Sequence, residues 1–333
     1  MLKTKLAIVS IALTLLSSTL MGCSKEQTIE SGIIRASYSE GPVNPHYQSL
    51  LKAGEYFEKA TDGRFKFQIY PNGVLGDQRA SIELLRNGAI QLCIVSAPLI
   101  ENYNPDFKII SIPYTFTSLD HQKKVLTSDD IKPLWESTRD HNFEVVAAFT
   151  AGSRNMYAKK PIRTPDDMKN MKVRVMESPL MLNTIACMGG QGTPMNSGEV
   201  YTALQQGVID AAENNEVTYE NTRHFEVAKY FSRTKHIMTP DLVIGQSEFL
   251  DRLSAEDRAK FEQAMKDAIN YEFGLWENGV ERAVELTTKA GTTYVDVDIT
   301  PFKQACQGLR EKELANGSPL VQKLKNVIET MAD

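Results

Sequence analysis

Apolar positions along the chain follow two rhythms, a period of two in short runs and a spacing of three to four in longer ones. Residues 32–38 read as a first strand. A helix follows over 46–61, with Tyr47, Leu50, Leu51, Gly54 and Phe57 on one stripe. Phe65, Phe67 and Ile69 then alternate with Lys66, Gln68 and Tyr70, the pattern of a half-buried strand. Pro71-Asn72-Gly73 marks a turn, and 77–87 reads as a helix stopped by Gly88. Ile90, Leu92 and Ile94 begin another strand that runs toward Ser96.

The same alternation continues. Residues 145–149, 156–159 and 172–176 read as strands, the last leading into Ser178-Pro179, an N-cap followed by the residue favoured at the first helical position. That helix runs to about 188 and stops at Gly189-Gly190. Another covers 198–206, capped by Asn196 with Glu199 three residues on and ended by Gly207. From Ser254 a helical pattern carrying Phe261, Met265, Ala268, Phe273 and Trp276 persists to about 290. It sustains no heptad, so a helix bridging two lobes fits better than a coiled coil, with Gly274 and Gly279 as candidate bends. Strands alternating with helices predict an α/β protein.

The first residues change the picture of where the protein works. Lys3 and Lys5 precede an apolar run over 6–16, and Ser17, Ser18 and Thr19 follow, which reads as an export signal. Leu20-Met21-Gly22-Cys23 resembles a bacterial lipobox, so residues 1–22 are expected to be removed, Cys23 to carry lipid, and 23–31 to form a tether to the membrane. The remaining cysteines, Cys93, Cys187 and Cys306, show no metal or redox spacing. Buried free thiols are expected, with one disulfide left open. The formal charge of −5, with no basic block, argues against a nucleic-acid partner.

Catalytic signatures are missing from the sequence: there is no GxSxG, HExxH, P-loop or strand-linked GxGxxG. His46, His121, His141, His224 and His236 are scattered, with no metal-ligand pair at helical spacing. The expectation is a protein that is not an enzyme and needs neither cofactor nor metal.

The segment over 152–236 is the informative one. It holds Gly152-Ser153-Arg154-Asn155, Lys160-Pro161-Ile162-Arg163-Thr164-Pro165-Asp166-Asp167-Met168, Lys172-Val173-Arg174-Val175, Thr193-Pro194-Met195, Glu199-Val200-Tyr201-Thr202-Ala203-Leu204-Gln205-Gln206-Gly207 and Ala212-Glu213-Asn214-Asn215. With Tyr70-Pro71-Asn72-Gly73-Val74-Leu75-Gly76 and the long helix, it closely resembles the extracytoplasmic solute receptors of tripartite ATP-independent periplasmic (TRAP) transporters, the DctP family. Gly192 and Ala211 depart locally, standing where Pro and Gly are common. The resemblance implies a bilobal, periplasmic-binding-protein-like (type II) fold. It further implies an organic-acid ligand and membrane subunits of the transporter as partners. Lobes are expected over 32–151 with 240–279, and over 152–239 with 280–333.

Arg174 lies near the end of its strand with Val173 and Val175 facing the other side, where open α/β sheets place ligands, and its fork suits a carboxylate. By resemblance, Arg174 makes the main carboxylate contact, Arg154 supports it and Asn214 hydrogen-bonds the ligand. Each also has a structural alternative: an ion-pair partner, a surface charge and a turn residue. Ser39, Glu40, Gln78, Arg79, Ser96 and Ser197 match cleft-lining positions of relatives, and Asn155, Asn215 and Asp241 neighbour them. Small Ser197 replaces an aromatic, leaving room for a hydroxylated ligand, and the Asn214-Asn215-Glu216 run resembles receptors for sugar acids such as uronates. The alternatives are a C4-dicarboxylate or other organic-acid receptor, a binding protein of an ATP-driven (ABC) importer, an enzyme on a similar scaffold, and a signalling receptor.

Overall fold

A computed structural model describes residues 28–332. The expected export signal and Cys23 lie outside the described residues. The strands, in chain order, are β1 (Gly32–Ser37), β2 (Phe65–Tyr70), β3 (Leu92–Ser96), β4 (Phe143–Phe149), β5 (Arg154–Ala158), β6 (Lys172–Val175), β7 (Gln191–Pro194), β8 (Ala211–Asn214), β9 (Tyr230–Ile237), β10 (Asp241–Gln246) and β11 (Thr293–Asp296). They form two mixed sheets, ordered β2-β1-β3-β10-β4 and β11-β9-β5-β8-β6-β7. In the first, β1 pairs parallel with β2 and β3, while β10 runs antiparallel between β3 and β4. Each sheet takes strands from separate stretches of chain, so the chain crosses between them three times, after β4, after β9 and, through the long helix that follows β10, before β11. This is the two-lobed α/β arrangement expected.

Burial of both sheet faces explains why the central strands are apolar throughout. Along β3, Leu92 and Ile94 enter one core with Phe57, Phe65 and Phe261, while Cys93 and Val95 enter the opposite core with Leu85 and Ile110. In the second sheet Val173 and Val175 of β6 pack with Met156 and Ile185. Arg174, between them, is thereby turned to the other side, as the alternation predicts.

Helix ends are fixed by the residues that signalled them. Asn44 accepts the His46 backbone N–H at 2.8 Å to open the helix Pro45–Ala60. Ser178 caps Pro179–Cys187 through the Met181 N–H at 3.1 Å. Ser254 caps the long helix Ala255–Lys289 through the Asp257 N–H at 3.0 Å. The predicted cap at Asn196 does not form: Ser197–Glu199 is a 3₁₀ turn leading into Val200–Gln206, and the Asn196 side chain makes no cap bond.

The long helix serves both lobes. Phe261, Met265 and Ala268 pack against the first sheet, and Arg282 donates to Glu220 beside the second at 2.9 Å. The helical run continues through Gly274 and Gly279 without a break. At Gly279 a Cβ would sit 3.1 Å from the Pro45 ring, so this glycine permits a close helix approach. Trp276 packs with Ala151 and Val217 at the first crossing, where Gly152 has φ +59° and a Cβ would meet the indole nitrogen at 2.7 Å.

Two expectations are corrected. Cys187 and Cys306 are not free thiols: they form a disulfide with Cα atoms 5.0 Å apart, joining the helix Pro179–Cys187 to the segment after Thr300–Ala305. Cys93 is buried and free. The end of the chain also divides: β11 joins the second sheet, but Val321, Leu324 and Ile328 of the helix Pro319–Met331 pack into the core of the first. Hydrophobic burial draws that helix across, so residues 280–333 do not travel as one piece of the second lobe.

Candidate ligand-binding cleft

A cleft of about 670 Å³, counting the part open to solvent, lies between the sheets. Arg174 reaches it from β6. Its Nε donates to the Met195 carbonyl at 2.9 Å, which fixes the guanidinium plane. No acid of the described residues lies within ion-pair distance of it, although Arg174 is only 5% exposed. Burial pulls its pKa below the usual arginine value. This leaves a buried cation held on one edge, with no partner among the described residues for its two terminal nitrogens, a geometry that suits a carboxylate.

Arg154 differs. It lines the cleft from β5, yet its Nε and Nη2 grip Glu213 at 2.5 and 2.8 Å, and Nη2 also donates to the Glu213 carbonyl at 3.0 Å. Burial alone would raise the Glu213 carboxyl, but the Arg154 charge overrides it and holds it down at about 2. His236 Nε2 sits 3.4 Å from the same carboxylate. Arg154 is therefore charge-compensated by the protein itself, and Arg174 is the cleft arginine without a counter-ion among the described residues.

The opposite wall, from the first sheet and its loops, is acidic and rich in hydrogen-bonding groups. Asp241 opens β10 and accepts from Ser96 Oγ at 2.5 Å. The Ser96 N–H donates to Gln78 Oε1 at 2.8 Å. Glu40 accepts from Asn44 at 2.7 Å and from Thr218 of the other lobe at 3.1 Å. Burial, then the nearby Asp241 charge, raises the Glu40 carboxyl. Asn214 and Asn215 enter from the end of β8, with Asn215 Oδ1 capping the next helix through Thr218 N–H at 2.8 Å. Ser197 also lines the space.

Ser39 and Asn155 do not line it. Ser39 accepts from Gln78 at 3.4 Å from behind the wall. Asn155 is buried and ties down backbone, donating to the Ser153 carbonyl at 2.9 Å and accepting from Lys235 N–H at 3.0 Å. Arg79 lines the mouth but is ion-paired with Glu177 of the other lobe. Asn102 donates to the Glu177 carbonyl at 2.9 Å, and Ser178 to Glu101 at 2.5 Å, so these contacts hold the lips of the cleft together. Glu177, Asn196, Thr218 and the apolar Leu99, Met176 and Met195 also line the cleft and escaped the sequence reading.

The family model for bacterial extracellular solute-binding protein, family 7, matches residues 36–316. The chain belongs to that family, the solute receptors of TRAP transporters. A solute-binding protein of Chromohalobacter salexigens is 33% identical over 280 residues, covering 84% of this chain and 83% of its own length. The crystal structure of a TRAP periplasmic solute-binding protein from Anaerococcus prevotii with bound D-glucuronate is 34% identical. It covers 91% of this chain and all of its own at a TM-score of 0.86. A Bradyrhizobium counterpart in complex with D-galacturonate is 28% identical, covers 90% of this chain and all of its own, and superposes with a TM-score of 0.87. The family is periplasmic, and it and these neighbours are receptors rather than enzymes. Membership decides against an ATP-driven importer's binding protein. No helix of the described residues is long and apolar enough to cross a membrane.

Proposed function

We propose that this receptor binds a sugar acid of the uronate type by its single carboxylate at Arg174 and its hydroxyls at the facing wall. The observation that carries this is the asymmetry of the cleft: one uncompensated buried cation on one side, two carboxylates, Glu40 and Asp241, on the other. The second carboxylate of a C4-dicarboxylate would meet those like charges, whereas hydroxyls can donate to them. The bound uronates of the structural neighbours support the same reading.

The ligand-lining set on this reading is Arg174, Asn214, Asn215, Gln78, Ser96, Ser197, Glu40 and Asp241, with Arg154 supporting and Arg79 at the mouth. Closure is a hinge motion at the strand crossings over residues 150–153 and 238–240, with the long helix as the third connection and the chain after Pro319 carried by the first lobe. The closed form then presents its surface to the membrane subunits. Isothermal titration with D-glucuronate, D-galacturonate and succinate tests the ligand. Saturable binding of a uronate with far weaker succinate binding is expected, and tight succinate binding with no uronate binding would refute the assignment.

Lipid attachment at Cys23 holds the receptor at the membrane on this reading. Labelled palmitate is expected to enter the protein, and Cys23→Ser, which also removes the lipid-dependent cleavage site, is expected to abolish that incorporation. Absence of label in the unaltered protein would remove the anchor from the account.

A further inference from the structure

We propose that His46, which lies behind the cleft wall and outside its lining, is a positioning residue of the binding site: it stands as an imidazolium that keeps the Asp241 carboxylate ionised and aimed at the cleft, and so demands a donor hydroxyl from the ligand. The inference rests on the sugar-acid reading for Asp241's role as a ligand contact.

Bond geometry gives the charge. His46 Nε2 lies 2.7 Å from the Thr150 carbonyl oxygen, which can only accept, so Nε2 carries a proton. Nδ1 lies 3.3 Å from Asp241 Oδ2, and a lone pair there would oppose the carboxylate's own, so Nδ1 is protonated as well. Tyr38 Oη stands 3.4 Å from the same nitrogen, where it can share the Nδ1 proton as a second acceptor. The ring is stacked between Phe149, with centroids 5.7 Å apart, and Trp276, at 5.2 Å and 16° between planes, faces that favour a cation.

Among the described residues, every titratable group facing the ring is acidic or neutral. Asp241 comes from β10, Glu272 Oε1 from the long helix at 3.6 Å, and Tyr38 and Glu40 from the end of β1 and just beyond. The cations in reach act on the partners: Arg154 on Asp241 and Lys123 on Glu272. Burial alone would lower the imidazole pKa, but the hydrogen bond and charge of Asp241, with Glu272 and the Thr150 carbonyl, raise it to about 9. Burial raises Glu272 to about 8, and its Oε2 accepts the Thr150 N–H at 3.1 Å. Near neutral pH the group holds an ionised Asp241, a charged His46 and a protonated Glu272. Asp241 then receives Ser96 on one oxygen and His46 on the other, and its remaining lone pairs can take only donors.

The test uses the full mature chain, with D-glucuronate as titrant. His46→Gln keeps a donor toward Asp241 but removes the charge. Its affinity is expected to fall about tenfold at pH 7, one hydrogen bond to an ionised group. It should also weaken further from pH 7 to 5, where wild type stays flat. In an Asp241→Asn background the same change should have little further effect. Unaltered affinity and pH profile in His46→Gln would overturn the proposal. Should that variant fail to fold, ¹⁵N spectra of wild-type histidines decide. Both His46 nitrogens protonated at pH 7 and titrating only above pH 8 uphold the proposal, and a neutral ring at pH 7 refutes it. Those spectra need no ligand, so a receptor that ignores uronates would sink the ligand assignment and leave the state of His46 separately tested.

Discussion

Arg174→Ala is expected to abolish useful ligand binding while leaving the ligand-free protein at least as stable as its parent. Truncating one partner of a buried hydrogen-bonded charge pair costs about 2–5 kcal/mol, or roughly thirty-fold to several-thousand-fold in affinity. The absence of a protein counter-ion makes the opposite effect on stability. Without ligand, Arg174 is 5% exposed, its guanidinium is held by one bond to Met195, and its burial penalty is offset by no acid of the described residues in ion-pair contact. Removing it relieves that penalty, and the space left opens into the cleft instead of forming a sealed cavity. Calorimetric titration and thermal unfolding of the two ligand-free proteins check both halves. A large drop in ligand-free melting temperature would make Arg174 a structural ion-pair partner instead.

Glu213→Gln should do the reverse, damaging the fold first. It removes the charge opposite Arg154 in a site where both side chains are almost wholly buried. Breaking such a pair costs about 3–5 kcal/mol. For a protein of this size that lowers the melting temperature by on the order of 10 °C. The pH dependence gives a second signature. A carboxyl depressed from 4.5 to about 2 contributes stability that is present above 4.5 and lost as the pH falls through 2. Wild type should therefore lose stability across that window, and Glu213→Gln should lack this part of the slope. An unchanged melting temperature in the variant would contradict the assignment of Arg154 as internally compensated.

What the sequence disclosed and what it withheld divide along one physical line. Local signals were legible: Ser178-Pro179 and Ser254 open helices because their oxygens meet an N–H three residues on. Arg174 was legible too, because alternation along β6 fixes which face it takes. Distant partners were not. Glu213 lies 59 residues from Arg154 and meets it only because β5 and β8 are neighbours, so nothing local marks Arg154 as compensated. Cys187 and Cys306 are 119 residues apart, and their pairing awaits the packing of two helical segments. The strands β8 to β11 lacked the alternation that marks a one-sided strand. β10 is buried on both faces, and the middle of β9 is polar throughout, Ser232-Arg233-Thr234-Lys235-His236, although Ser232, Thr234 and His236 are buried. Asn196 showed a different ambiguity: its amide suits a helix cap and a cleft wall equally, and the 3₁₀ turn after it frees it for the wall. His46 shows no metal-ligand spacing and carries no other local signal, because its role depends on acids from β10 and the long helix.

The most direct measurement is a crystal structure of the receptor with the tightest-binding acid of the titration panel. The account predicts a carboxylate bridging both terminal nitrogens of Arg174 at about 2.8 Å, with hydroxyls on Asp241 and Glu40. A carboxylate seated elsewhere in the cleft, with Arg174 still unpaired, would contradict it.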